Sequence, residues 1–238
     1  MKKTIQKISA TSLEGIDIFA GLEIDEREHI AGMCKAYSFQ KGDIVLTHQD
    51  TSTDVFILVS GTVRITIYSN SGRQITFRDL SAGQVFGELS AIDNQPRSAH
   101  VVSLDSSVLT IVSASDFLRI LCEYPVVNKN TLKYLTGLIR SLSERIVEYS
   151  TLGVSKRIHA ELLRLGRTCD ANASRITISP APTHAELAHR VSTNREAVTR
   201  EMSSLVKHGV IRKEGKTLII QNLDKLRKSA EDVMDNPE

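Results

Sequence analysis

In the stretch VFGELSAIDNQPRSAHVV, Val85 to Val102, a glycine and a carboxylate stand side by side at Gly87 and Glu88, nine residues before Arg97. A carboxylate and a guanidinium so placed can close on each other as an ion pair across a loop. They can instead hold something charged between them. A second set of groups lies in TNREAVTRE, where Arg195, Glu196 and Arg200 are separated by spacings of four and five that straddle one helical turn. On a helix these three share a face. Glu196 and Arg200 there can form an ordinary i,i+4 pair, or the arginines can bond guanine O6 and N7 while the glutamate accepts from cytosine N4.

Catalytic chemistry finds no footing in the rest of the chain. There are no paired carboxylates in a glycine-rich pocket, no metal-ligand spacing and no Ser-His-Asp arrangement, so the chain reads as a binding protein and not an enzyme, with neither catalytic nor metal-ligating residues. The three cysteines, Cys34, Cys122 and Cys169, are far apart and odd in number, which suits buried thiols in a reducing cytoplasm better than disulfides. The N-terminal MKKTIQKISATSLEGIDIF lacks the apolar stretch of a signal peptide, and VFILVSG is far too short to cross a bilayer. The expectation is therefore a cytoplasmic protein with no membrane association. Its 238 residues, 41% hydrophobic and 24% charged, suffice for two domains with largely aliphatic cores.

Net charge is only +2, but it is unevenly distributed. Residues 154–228 carry 15 Lys and Arg against 7 Asp and Glu, whereas residues 1–153 carry 15 against 17 and the last ten residues add four acids and no base. A basic C-terminal module is the electrostatic footprint of nucleic-acid binding, although a merely solvated basic face has the same composition.

The elements that must position these groups fall into three blocks. From about Tyr37 to Val112, β-branched residues alternate at Val63, Ile65 and Ile67. A turn is expected at Asn70-Ser71-Gly72, and glycines recur as in a jelly roll or small barrel of short strands. The second block places Leu132, Leu135, Ile139, Leu142, Ile146 and Tyr149 at alternating spacings of three and four. That narrow seam fits a two-stranded dimer, or a helix packed on its own domain, with a break at Gly153. The third block opens with Thr183 as N-cap and Glu186 three residues on. Leu187, Ala188 and Val191 face inward there, as do Ala197, Val198, Met202 and Leu205 on a second helix. A hairpin turning at Glu214-Gly215-Lys216 follows, giving a helix-turn-helix with a β-wing, a DNA-binding arrangement. The fold class is accordingly α+β: an N-terminal jelly-roll-like β-roll in residues 1–125, a long dimerisation helix and hinge in 126–153, a winged helix-turn-helix in 154–228 and an acidic, disordered tail in 229–238.

In this order the blocks resemble the cyclic AMP receptor (catabolite activator) and fumarate-nitrate regulator superfamily of bacterial transcription factors, from about Phe19 to Ile220. The resemblance implies that FGEL…PRSA is a phosphate-binding cassette. Arg97 would pair with a cyclic phosphate, with Ser98 and the backbone N–H groups of Gly87, Glu88 and Leu89 completing the cradle. Glu88 would accept from the ribose 2′-hydroxyl. Ile65, Phe77 and Leu80 would line the base end, or be plain core. On the dimer helix, Leu142-Ser143 stands where the family has adjacent Thr and Ser contacting adenine, so the effector is expected to be cAMP, with cGMP open. The oxygen-sensing branch needs N-terminal cysteines that this chain lacks before Cys34, and the haem-sensing branches usually lack an intact cassette.

By the same resemblance, Arg195, Glu196 and Arg200 read a TGTGA-like half-site in an inverted repeat, and Thr183, Thr193, Asn194 and Lys216 contact phosphates. The partners implied are double-stranded promoter DNA, a second copy of the chain through residues 132–149, and RNA polymerase. Two alternatives stand beside this reading: a cyclic-nucleotide regulatory subunit that binds a protein, and a DNA binder whose roll is structural only.

Overall fold

The computed structural model describes residues 3–5, 8–68, 74–167 and 176–231, so the expected turn at Asn70-Ser71-Gly72, Cys169 and the tail beyond Glu231 lie outside the described residues. The chain separates into two units, residues 1–140 and 141–238.

In the first unit, β1 (Lys3–Ile5) and α1 (Ile24–Gly32) precede β2 (Lys35–Phe39), β3 (Ile44–Leu46), β4 (Val55–Ser60), β5 (Thr62–Tyr68), β6 (Gln74–Ser81) and β7 (Val85–Phe86). The helix α2 (Glu88–Asp93) interrupts the strands before β8 (His100–Ser103) and β9 (Ser107–Val112), and α3 (Ala114–Glu123) and α4 (Pro125–Thr151) follow. The strands make two antiparallel sheets, ordered β1-β2-β9-β4-β7 and β3-β8-β5-β6. Inner-face residues of both sheets, among them Phe39, Phe56, Leu58, Val63, Leu80, Phe86 and Leu109, form one core. A second core lies where Val55, Ile57, Val85 and Val112 meet Ile30, Phe117, Ile120 and Val127 of the helices. The strand VFILVS is therefore buried in a near-continuous run instead of alternating.

The alternation expected along β5 holds only for Val63. A register shift between Ile65 and Thr66 turns Thr66 inward, where its hydroxyl donates to the Ile75 carbonyl at 2.9 Å. A bulge of this kind moves the following side chains to the other face, and Ile65 is left at the edge of the core. The helices α1 and α3 begin with local caps: Glu23 and Glu26 close a capping box, and Ser113 accepts from the Asp116 amide at 3.1 Å.

Proline at the first position of α4 suits a helix start, since its missing N–H has no intrahelical partner there anyway. The helix runs through the division between the units and stops at Thr151. Leu152 and Gly153 separate it from α5 (Val154–Arg167), at the expected break. Within the single chain the apolar seam is largely solvent-facing, with Leu132, Ile139 and Ile146 all well exposed. Tyr149 departs from the seam role, because its hydroxyl donates to the Arg190 carbonyl at 2.8 Å.

The second unit continues with β10 (Ile176–Ile178), α6 (His184–Arg190), α7 (Arg195–Lys207), β11 (Ile211–Glu214), β12 (Thr217–Ile220) and α8 (Leu223–Glu231), the sheet ordered β10-β12-β11. Its core joins Ile158 and Leu162 to Leu187, Val191, Val198, Leu205 and Leu218, with Leu226 of α8 closing it. The helix α8 runs three residues past the expected boundary at 228, so residues 229–231 are helical and not part of a tail. Beneath α4 and α6, Glu161 is 1% exposed and meets three arginines: Arg145 at 3.0 Å, Arg190 at 3.2 Å and Arg164, which also binds Glu148 at 2.6 Å. Burial lowers the Arg164 pKa, but Glu161 and Glu148 outweigh it and the net shift is upward.

Candidate functional site

Gly87 and Glu88 stand at the start of α2, a short helix within the stretch that the sequence presents as a loop. Gly87 has φ +82°, and a side chain there would meet Arg97 Nη1 at 2.8 Å and the Asp54 carbonyl at 3.0 Å. Only glycine fits that left-handed, closely approached position. Asn94, also left-handed at φ +55°, ends the helix and returns the chain to Arg97.

Arg97 is 2% exposed. Its backbone is pinned to the loop before β4, with its amide donating to the Asp50 carbonyl at 2.8 Å and its carbonyl accepting from Gln49 at 2.9 Å. Its guanidinium donates to Gly87 O at 2.9 Å, Asp54 O at 2.8 Å and Ser52 Oγ at 3.1 Å, and lies 5.7 Å from the Phe56 ring centre. All three acceptors are neutral oxygens. Burial lowers the Arg97 pKa, partly offset by the charges of Asp54, Asp50 and Glu88. A guanidinium has five N–H groups, so two are not taken by these contacts. The structure thus puts Arg97 in a neutral cradle and not in the alternative ion pair.

Glu88 has other company. It is 4% exposed, and its carboxyl is hydrogen-bonded to Tyr134 of α4, with Arg78 of β6 nearby. Burial raises its pKa above 4.5, against the opposing pull of its own backbone N–H, Arg78, Tyr134 and Arg97. In the unfolded chain the carboxyl ionises at its ordinary value. Stability from Glu88 is therefore fully present below pH 4.5 and is lost as pH rises through the elevated folded value. Glu88→Gln, which keeps shape and cannot ionise, is expected to stabilise the ligand-free protein at pH 7 and to flatten that decline. Thermal unfolding at pH 4.5 and pH 8 checks this, and an equal midpoint difference at both would contradict it.

The other expected pocket residues are placed unevenly. Ser98 and Leu89 are exposed beside the cradle. Ile65 and Phe77 are half-buried. Leu80 is 1% exposed and belongs to the roll's core. Leu142 and Ser143 lie on the part of α4 that belongs to the second unit, both exposed. Missed from the sequence are Ser52 and Asp54 of the loop before β4, Arg78 of β6 and Tyr134 of α4, none of which lies in a motif of its own.

In the second unit, the Thr183–Glu186 capping box forms as expected and starts α6. Asn194 caps α7 through its side-chain oxygen, which accepts from the Ala197 amide at 2.8 Å. The Thr183 hydroxyl both accepts from the Glu186 amide and donates to the Glu186 carboxylate, so its hydrogen-bonding capacity is directed to the cap and not outward to a phosphate. Arg195, Glu196, Thr199 and Arg200 all face solvent on α7, while Val198, Met202 and Leu205 are buried beneath them. Thr193 is half-buried in the turn, and Lys216 is exposed at the wing tip beside Gly215, which has φ +57°.

His184, not anticipated from the sequence, shares a cleft of about 270 Å³ with Thr183, Arg195 and Lys213, and its Nδ1 is 2.9 Å from Thr199 Oγ1. Burial, then Lys213 and Arg195, push its pKa down, as expected where cations already crowd one face. No helix among the described residues is long and apolar enough to cross a membrane.

Residues 37–124 match the cyclic nucleotide-binding domain family, and residues 156–229 match the Crp-like helix-turn-helix domain family. The CRP-like cAMP-activated global transcriptional regulator of Mycobacterium tuberculosis is 25% identical over 217 residues, covering 90% of this chain and 96% of that protein. The cyclic AMP receptor protein of Thermus thermophilus is 26% identical over 200 residues, 84% of this chain and 90% of that one. The solved structure of a CooA variant from Carboxydothermus hydrogenoformans has a TM-score of 0.77 at 18% identity, over 95% of this chain and 97% of that one, a likeness of fold.

Proposed function

Because this chain belongs to the cyclic AMP receptor and fumarate-nitrate regulator superfamily of transcription regulators, we propose that it is a homodimeric switch in which cAMP in the β-roll promotes promoter binding by the winged helix-turn-helix. The observation that carries the reading is the Arg97 cradle. A cation 2% exposed, held only by neutral oxygens, leaves its charge to be matched by an anion that enters between Gly87 and Ser98. Glu88 takes the ribose hydroxyl. The relatives in Mycobacterium tuberculosis and Thermus thermophilus are named for cAMP, which supports the same effector here.

One observation favours a second effector. The exposed Leu142 brings an apolar side chain beside Ser143, so only one hydroxyl is offered to the base, and cGMP is the alternative. Titration of the protein with each nucleotide decides between them.

Dimerisation through residues 132–149 is supported by the exposed seam of Leu132, Ile139, Leu142 and Ile146. Ile139→Lys would place like charges at a buried two-fold contact. Sedimentation is expected to show this variant as monomer at micromolar concentrations where the wild type is a dimer; a wild-type monomer would contradict the assignment. In the dimer, coupling requires that the nucleotide bind the DNA-competent arrangement more tightly than the other.

On DNA, Arg195, Glu196 and Arg200 read a TGTGA-like inverted repeat, and Lys216, with Thr193 and the capped helix starts at Thr183 and Asn194, meets the backbone. RNA polymerase is the further partner. Arg195→Ala is expected to weaken binding to the specific site by about 1–3 kcal/mol and to unrelated DNA far less, whereas Lys216→Ala weakens both alike. Fluorescence anisotropy with nucleotide present measures both. Equal losses on specific and random DNA for Arg195→Ala would remove α7 as the reading helix.

A further inference from the structure

Tyr134 stands on α4 away from the seam, and its hydroxyl is a hub. It accepts from Arg78 Nη2 at 2.5 Å, donates to the Val85 carbonyl at 2.9 Å and is hydrogen-bonded to the Glu88 carboxyl. A hydroxyl has one proton and two acceptor sites. The Val85 carbonyl can only accept and Arg78 can only donate, so the Val85 carbonyl and the Glu88 carboxyl share the single Tyr134 proton. The bond to Tyr134 favours the Glu88 carboxylate, and the Tyr134 phenol is pushed up to about 12 and stays neutral. The Arg78 guanidinium completes the group, 5.5 Å from the Tyr134 ring centre.

Glu88 is 4% exposed, so an outside hydroxyl reaches its carboxyl only if a covering group withdraws. We propose that Tyr134 is a latch on Glu88: the ribose 2′-hydroxyl of an incoming cyclic nucleotide displaces it, which makes Tyr134 both a determinant of ribose selectivity and the residue through which α4 senses the pocket. The latch rests on the nucleotide-binding reading above and adds a competitor to it. Leu132, Leu135 and Ile139 lie on the same helix within two turns of Tyr134, so its release acts on the seam directly.

The test is calorimetric titration of the full-length wild type and Tyr134→Phe with cAMP and with 2′-deoxy-cAMP. Phenylalanine keeps the ring against Arg78 and removes only the hydroxyl. The variant is expected to bind cAMP about fivefold more tightly, the loss of one competing hydrogen bond, while its affinity for the 2′-deoxy nucleotide changes less than about twofold. A purely structural role would move both nucleotides equally, and that result, or weaker cAMP binding, overturns the latch while leaving the pocket in place. A wild type that binds neither cAMP nor cGMP overturns the pocket reading and the latch with it.

Discussion

Arg97→Ala is expected to lower cyclic-nucleotide affinity by about 2–5 kcal/mol, a factor of roughly thirty to a few thousand, because it leaves a buried phosphate without its countercharge. The local structure adds to the loss. Arg97 ties Gly87 at the start of α2 to Ser52 and Asp54 in the loop before β4, so its removal also loosens the walls of the cradle. Arg97→Lys separates these contributions. An ammonium restores the charge but cannot span three acceptors with the planar fork of a guanidinium, so intermediate affinity is expected. Titration calorimetry on variants whose circular dichroism matches the wild type measures both. Unchanged affinity in folded Arg97→Ala would end the assignment of this loop as a phosphate site.

Glu161→Ala is expected to destabilise residues 141–231 by about 3–5 kcal/mol, the usual cost of removing one partner from a buried ionic cluster. Glu161 meets Arg145 of α4, Arg190 of α6 and Arg164 of α5, and its loss removes the carboxylate that these three guanidinium groups share. Replacing the cluster with apolar residues of matching volume is expected to be far milder, since burying charges is itself costly. Urea denaturation followed by far-ultraviolet dichroism provides the measurement. An unchanged midpoint for Glu161→Ala would show that the cluster contributes nothing to this unit. Nucleotide affinity is expected to be retained, because Arg97 and Glu88 belong to the other unit.

Legibility from the sequence followed the range of the interactions. The capping box at Thr183 and Glu186, the break near Gly153, the hairpin about Gly215 and the solvent face of α7 all depend on residues within a few positions of one another, and each is present. The roll was legible in kind. Its inner face was not read correctly along β5, because a bulge between Ile65 and Thr66 changes the face without leaving a composition signal. Leu80 illustrates the same limit: an apolar strand residue gives no sign of whether it faces a ligand or the opposite sheet. The cassette was visible as a local pattern at Gly87, Glu88 and Arg97. Its supports were not, because Ser52 and Asp54 of the loop before β4, Arg78 of β6 and Tyr134 of α4 are brought there by three separate segments. Glu161 and its arginines were hidden for the same reason, their partners being 3, 16 and 29 positions away.

The central claim is that nucleotide in the roll governs DNA binding by α7. Fluorescence anisotropy of a labelled duplex carrying a TGTGA-like inverted repeat, titrated with the protein at fixed salt with and without cAMP, tests it most directly. A coupling free energy of about 1–3 kcal/mol predicts an affinity gain of roughly five- to 150-fold on adding the nucleotide, and no gain in Arg97→Ala. Equal affinity for the duplex with no nucleotide, with cAMP and with cGMP would contradict the account and leave a DNA binder whose β-roll is structural only.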